Sequence, residues 1–362
     1  MKIKSIKSVK SFKKKIVLVR ADFDVPLKGN RIVDDTRLKT LIPTVEYLLV
    51  KKAKQIVLVG HLGRPNGKVD KKLSLAPVVK YLKKEFKDID FIKSPDEKSD
   101  SKIVVLENIR FFKGEEQNDK KFAKQLSKLA DIYVNECFSS SHRNDVSVSA
   151  IQNFLPSYAG LHLEKEISSL SLVKDKAKKP LVVIIGGAKI ETKLPVINSF
   201  LDKAEYILVG GAVANNFMMA RGENVGKSLI DKKYLPDAKK ILKKFKHKVI
   251  LPVDYISEKD KILDIGPRTI MLFNGIIKSA KTIIWNGPMG NFEKKKFANG
   301  TFKVVEGILN NNKANIVIGG GETGEVLKDQ KIKKNVFVSV GGGAMLEFLA
   351  GKKLPGLKKI IK

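Results

Sequence analysis

Within twenty-two residues, Ile16–Arg37 reads IVLVRADFDVPLKGNRIVDDTR and gathers Asp22, Asp24, Asp34, Asp35 and Arg37. An apolar run ending at Arg20 reads as a buried strand, broken further on by Pro26 and Gly29. Residues two apart on an extended segment share a face, so Asp22 and Asp24 are expected to point the same way. Charged groups of both signs where a strand opens into a loop suit a small polar substrate. Arginine is the second signal. Of 70 cationic residues only eight are Arg, at 20, 31, 37, 64, 110, 143, 221 and 268. A lysine-rich chain keeps the planar guanidinium where two-bonded recognition of phosphate or carboxylate matters. Arg37, Arg64, Arg110 and Arg143, with His61 and His142, fall in short polar motifs that follow apolar runs. Together they suit a substrate with at least two negative groups.

The elements that must position these residues alternate. Strands are expected at 16–20, 56–60, 103–106 and 131–134, with helical spacing over 37–52, 73–87 and 119–129. The rhythm pauses around 144–176, where a helix over Leu161–Lys176 reads as an interdomain connection with a hinge near 155–165. From Leu181 it resumes with LVVIIGG, YILVGG, TIIWNGPMG, NIVIGGG and VFVSVGGG, each strand ending in glycine or Asn-Gly. The expected fold class is therefore α/β: two Rossmann-like domains, each a mainly parallel sheet flanked by helices, joined by a hinge helix. The expected boundaries are 1–155, with a tail of about 345–362 packing back on it, and 156–344. Glycine at such turns lets backbone N–H groups approach a phosphate at a helix start, so the second half is the candidate nucleotide domain.

Two motifs mislead. Gly319-Gly-Gly321-Glu-Thr-Gly324 has the GxGxxG form, but the acid expected about twenty residues later is absent, which weakens a dehydrogenase reading. Gly222–Ser228 is one residue short of a phosphate-binding loop and reads as a turn before a lysine-rich helix. An anion site on one domain and a phosphate-cradling site on the other describe a two-substrate phosphoryl transferase.

The net charge of +32 would attract nucleic acid or anionic membranes. The lysines are scattered, however, without interleaved aromatics, so no specific nucleic-acid partner is expected. No apolar run reaches the ~18 residues of a membrane span and no signal peptide is evident, so a cytoplasmic protein is expected. A lone cysteine, Cys137, fits a reducing compartment and reads as core packing.

The ordered motifs VLVRADFDVP, DDTR, GHLGRP, ENIRFF, SHR, GGAKIETK, GGAVANNF, LPVD, WNGPMG, GGGET, GGGAMLE and LPG make the chain resemble a phosphoglycerate kinase. The resemblance implies Mg-ATP on the C-terminal domain and 3-phosphoglycerate on the N-terminal one. The implied reaction is reversible phosphoryl exchange giving ADP and 1,3-bisphosphoglycerate, in a monomer that closes at its hinge. It places Asp22, Asp24, Arg37, His61, Arg64, Arg110 and Arg143 at the phosphoglycerate. Arg37, Lys189 and the amides of Gly341, Gly342 and Gly343 would stabilise the phosphoryl group in transfer. Lys189, Lys193, Gly210, Gly211, Asn286, Glu293, Gly319, Gly320, Gly321, Glu322 and Thr323 would hold the nucleotide, with Glu322 near the magnesium. Three positions depart from the family pattern: Asp24 stands for Asn, Glu322 for Asp and Asp145 for a second His. An ionised Asp24 would repel an anionic substrate unless a nearby cation compensates, and Asp145 is expected to remove a potential positive charge.

Overall fold

A computed structural model of the chain describes residues 2–321, 323–328 and 330–362. It divides into two compact units, Met1–Ser168 with Lys353–Lys362, and Ser169–Lys352.

In chain order the first unit contains β1 (Ile16–Arg20), a short ribbon β2 (Leu27–Lys28) and β3 (Arg31–Ile32), α1 (Thr36–Val50), β4 (Gln55–Val59) and α2 (Ala76–Glu85). It continues with β5 (Ile89–Ile92), β6 (Ile103–Leu106), α3 (Lys120–Ser127), β7 (Ile132–Asn135) and β8 (Ser157–Ala159). Six strands form one parallel sheet in the order β5-β6-β4-β1-β7-β8. Apolar residues fill both sides of each central strand because helices cover both faces. Val17 and Val19 join the core that includes Leu38, Leu41 and Val45 of α1, while Leu18 faces the core that includes Ala123 and Leu126 of α3.

Helix α4 (Leu161–Asp175) follows, and the division falls inside it. The second unit holds β9 (Leu181–Ile185), α5 (Ile190–Phe200), β10 (Tyr206–Val209), α6 (Gly211–Ala220), α7 (Leu235–Phe245) and β11 (Val249–Ile250). A hairpin of β12 (Tyr255–Glu258) and β13 (Lys261–Ile265) comes next, then α8 (Pro267–Ser279), β14 (Thr282–Asn286), α9 (Asn299–Asn310) and β15 (Asn315–Gly319). Helix α10 (Thr323–Leu327), β16 (Val336–Ser339) and α11 (Gly343–Leu349) complete it. Its parallel sheet runs β11-β10-β9-β14-β15-β16, so the order reverses between β9 and β14.

The boundaries differ from the expected ones. The first unit extends to Ser168, not 155, because the start of α4 is anchored there: the buried Glu136 carboxylate accepts the His162 and Leu163 amides at 2.9 and 3.0 Å. The returning tail begins at Lys353, not near 345, since Leu349 at the end of α11 accepts a hydrogen bond from Ser199 of α5 in the second unit. From there the tail is stitched to the first unit. Gly356 donates to the Ser141 carbonyl at 2.8 Å, Asn135 Nδ2 donates to the Gly356 carbonyl at 3.0 Å, and Ile3 bridges Ile361.

Candidate active site

In the first unit β1, β4, β6 and β7 are neighbours, and the segments leaving their C-terminal ends carry the acids, arginines and histidine. The Asp34 carboxylate accepts the Thr36 amide at 2.9 Å and opens α1, which places Arg37 in the helix's first turn. From there Arg37 Nη1 reaches Asp22 Oδ1 at 3.1 Å and lies 3.9 Å from Asp24 Oδ2. The two acids do share a side, with unequal burial: the Asp22 side chain is 5% exposed and that of Asp24 is 42%. Asp22 also accepts from Ser139 at 2.6 Å, and Asp24 accepts the Gly63 amide at 2.9 Å. The expected repulsion at Asp24 thus meets two local compensations, a cation and an N–H donor.

His61 is buried at the end of β4, and its Nδ1 lies 2.8 Å from Arg20 Nη2. Guanidinium can only donate, so Nδ1 is the acceptor and the ring proton resides on Nε2. Burial, with Arg20, Arg110, Arg143 and Arg37 around it, pushes the His61 pKa well below the usual value. The imidazole is therefore neutral, and the 3.7 Å approach of Nε2 to Asp24 directs an N–H toward a carboxylate without forming an ion pair.

Arg64 and Arg110 are held in opposite ways. Arg64 is exposed, and no hydrogen bond or ion pair among the described residues restrains it. Arg110 is buried, donates from Nη1 to the Gly63 carbonyl at 2.8 Å, and lies 3.5 Å from Asp145 and 3.4 Å from Glu116. Asp145 therefore does more than omit a positive charge: it brings a negative one to Arg110. Arg143 is half-buried after the same β7 segment. Arg20, Ser139 and Ser147 were not singled out from the sequence. Arg20 was legible as one of the few arginines, whereas the serines carry no spacing signal.

In the second unit Gly186 and Gly187 after β9 meet Asn286 at the end of β14 and Pro288 just beyond it, at the point where the strand order reverses. The Gly186 amide donates to the Asn286 carbonyl at 2.9 Å and the Gly187 amide to the Pro288 carbonyl at 2.8 Å. Such reversal points are where open α/β sheets bind ligands. A cavity of about 460 Å³ opens here, lined by Gly187, Gly211, Asn215, Met218, Pro288 and Phe292 among others, with the exposed Glu293 also on its wall. Strand β13 forms another wall, where the buried Asp264 has its pKa raised to about 6 by burial, against hydrogen bonds from the Gly300 and Ile265 amides.

Gly210 and Gly211 do not act as free amide donors, as the turn argument expected. The Gly210 amide is taken by the Ile185 carbonyl at 2.9 Å and that of Gly211 by Met289 at 2.8 Å. What the site needs of them is the missing side chain. Gly211 has φ +59°, and a Cβ there would lie 2.7 Å from the Gly187 nitrogen.

Lys189 is exposed immediately before α5, and Lys193 one turn on donates to Asn286 Oδ1. Asn286 Nδ2 in turn donates to the Gly319 carbonyl at 2.6 Å, tying β14 to the glycine run after β15. Gly320 has φ +141°, and Gly321 is exposed. The Gly341 amide is spent on Ser339 Oγ at 3.1 Å, while Gly342 caps α11 with φ +51° and Gly343 begins the helix. Glu322 lies outside the described residues, as does the side chain of Thr323.

Two such half-sites on two doubly wound sheets call for comparison with known proteins. Residues 6–352 match the phosphoglycerate kinase family. The chain belongs to that family. A phosphoglycerate kinase of Borreliella afzelii is 41% identical over 394 aligned positions, covering 100% of both chains. One from Pelotomaculum thermopropionicum is 38% identical, covering 96% of this chain and 97% of its own. Among solved structures, phosphoglycerate kinase from Coxiella burnetii superposes with TM-score 0.89 at 33% identity, covering 99% of each chain. That from Pyrococcus horikoshii OT3 gives 0.86 at 31%, over 99% and 98%. The family's function applies to this chain: phosphoryl transfer between ATP and 3-phosphoglycerate, a kinase step of glycolysis.

Proposed function

We propose that the two half-sites divide the reaction between the units. The first binds 3-phosphoglycerate through Arg37, His61, Arg64, Arg110 and Arg143, with Asp22 and Asp24 orienting the cations. The second binds ATP or ADP, the base in the glycine-walled cavity and the phosphates along Lys189, Lys193, Asn286 and the glycines after β15. The observation that carries this is the Asp22–Arg37–Asp24 bracket beside a neutral His61, at the C-terminal end of the first sheet. Negative phosphate and carboxylate groups meet permanent guanidinium charges there, and an uncharged imidazole offers a hydrogen bond.

Arg37 is the residue proposed to follow the phosphoryl group into the transition state. Charge then spreads over its equatorial oxygens, and a preorganised cation stabilises that state beyond the ground state. Lys189 and the Gly342 and Gly343 amides are the proposed counterparts on the nucleotide side. The acceptor is an already ionised carboxylate, so no general base is required, and exclusion of water by hinge closure protects the acyl phosphate.

Magnesium is proposed to enter with the nucleotide. It keeps phosphate and water oxygens in its shell and needs one or two protein carboxylates, not a protein cage. Among the described residues no group of three or more His, Cys, Asp or Glu could hold a metal by itself, and Glu322 remains the proposed single carboxylate. Its chemistry would be neutralisation of phosphate charge. A monomer working in the cytoplasm completes the proposal; no helix among the described residues is long and apolar enough to cross a membrane.

Calorimetric titration of the purified chain with 3-phosphoglycerate and, separately, with ADP tests the division. Arg64→Ala and Arg143→Ala are expected to weaken only phosphoglycerate, and Lys193→Ala only ADP. A variant that weakened the opposite ligand would overturn the assignment of its half-site.

A further inference from the structure

Glu115 lies in the turn between β6 and α3, fully buried, and none of the substrate-binding roles above involves it. Its carboxylate is nevertheless connected to the site through two intervening side chains. Ser147 donates to it twice, from the amide at 2.9 Å and from Oγ at 2.5 Å. Arg20 Nε donates to Ser147 Oγ at 2.8 Å, and Arg20 Nη2 donates to His61 Nδ1 at 2.8 Å. His61 Nε2 then stands 3.7 Å from Asp24, the acid that also lies 3.9 Å from Arg37.

Every proton in this chain has a fixed place. Arginine has no acceptor, so it donates to both Ser147 Oγ and His61 Nδ1. Ser147 Oγ, with a lone pair occupied, directs its own hydrogen to Glu115. An anionic Glu115 accepts both Ser147 bonds and so anchors the hydroxyl against which Arg20, itself donor-only, is set toward His61. The chain is also held laterally, since the Tyr133 hydroxyl donates to the Ser147 carbonyl at 2.8 Å and Arg20 Nη1 donates to the Ala21 carbonyl at 2.5 Å.

We propose that Glu115 is a positioning residue for phosphoglycerate: through Ser147 and Arg20 it fixes His61 as the neutral Nε2–H tautomer beside Asp24. This rests on the reading of the first-unit cluster as the phosphoglycerate site. A guanidinium as buried as that of Arg20 needs a compensating charge, and Glu115 supplies one two bonds away. The charged or titratable groups around Glu115 are Arg20 on β1, Tyr133 on β7 and Asp145 on the loop after β7, with Arg110 beside Asp145. Burial pushes the Glu115 pKa up to about 7, with Arg20 and the Ser147 bonds opposing. Its ionisation therefore changes near neutrality, and the ordered chain belongs to the ionised form, above that pH.

The test uses the full chain with 15N-labelled histidine, reading the imidazole nitrogens by NMR alongside steady-state kinetics. In the wild type at about pH 8, where Glu115 is ionised, His61 is expected as a single neutral Nε2–H tautomer. In Glu115→Gln and Ser147→Ala the single tautomer is lost. The KM for 3-phosphoglycerate rises about fivefold or more while kcat and the KM for ATP change less than about twofold, as expected when ground-state binding alone is affected. Ser147→Thr, which keeps the hydroxyl, stays near wild type and separates the relay from general destabilisation. In Glu115→Gln the inflection of that KM near pH 7 flattens to the part that the substrate's own ionisation causes. An unchanged His61 tautomer in both relay variants overturns the proposal. A changed tautomer with unchanged phosphoglycerate binding overturns the positioning role and moves the fault to the assignment of the pocket, which the Arg64→Ala titration checks independently.

Discussion

Arg37 sits between two carboxylates of different burial, and the difference decides what each does. Asp22 is enclosed and also bound by Ser139, so it orients the guanidinium. Asp24 is half open, and in the proposed site its charge would face an anionic substrate and oppose binding. Asp24→Asn is expected to tighten 3-phosphoglycerate by a few-fold in a binding titration, because the amide oxygen still accepts from Gly63 and one negative charge is gone. Arg37→Lys replaces a fork by a point charge and should lower kcat by about 100-fold, the scale of losing one preorganised stabiliser. Thermal unfolding should show the fold intact, and normal turnover would refute the clamp. Asp264 carries a pH signature. Its folded-state pKa is about 6, raised above the ordinary carboxylate value, so the folded chain holds this proton over a window where the unfolded chain has released it. Its contribution to stability thus falls as pH rises from about 4 toward 6, and Asp264→Asn should flatten that part of the denaturation profile.

At the scale of elements, both half-sites depend on what strands do at their ends. The cavity of the second unit opens where β9 and β14 bring Gly187 and Pro288 into backbone contact, and α6 starts close against them. Gly211→Ala therefore introduces a Cβ into backbone and a strained φ together. ADP affinity should fall by about tenfold or more, with 3-phosphoglycerate affinity unchanged, in parallel titrations. The strands and helices that carry the sites were legible from the apolar runs: Ile16–Arg20 and Ile103–Leu106 begin and end as the sequence suggests, and 56–60 and 131–134 are displaced by one residue. The hairpin β12–β13 was not legible. Tyr255 and Ile256 are exposed, so no buried face marks β12, and β13 buries only its last two residues, Asp264 and Ile265, although it walls the cavity. Helix α4 reads from the sequence as the interdomain connection, and the division between the units does fall inside it; what the sequence does not show is that its start is held by Glu136 of the first unit.

For the whole molecule, a net charge of +32 surrounds a reaction whose substrates are all anions. Salt should therefore lower kcat/KM for 3-phosphoglycerate by several-fold between about 20 and 200 mM, since screening shortens the reach of the field while kcat depends on close contacts. Chelating magnesium should abolish turnover and leave the melting temperature within about 1 °C, because a metal carried by the nucleotide contributes nothing to folding of the free chain.

The sequence by itself determined the two parallel sheets, the division between arginine-ended and glycine-ended strands, and the family. Those follow from local facts: apolar runs too short for anything but strands, turn residues at their ends, and ordered motifs. Tertiary structure alone decided which partners the polar groups take. It turned the Gly210 and Gly211 amides inward, set Asp145 against Arg110, and joined Glu115 to His61 through Ser147 and Arg20. Glu115 and Ser147 are 32 residues apart, and Arg20 and Ser147 are 127 apart. Hydrogen bonds and charge compensation in a buried site act over a few ångströms of space, and no spacing along the chain encodes which residues will share it.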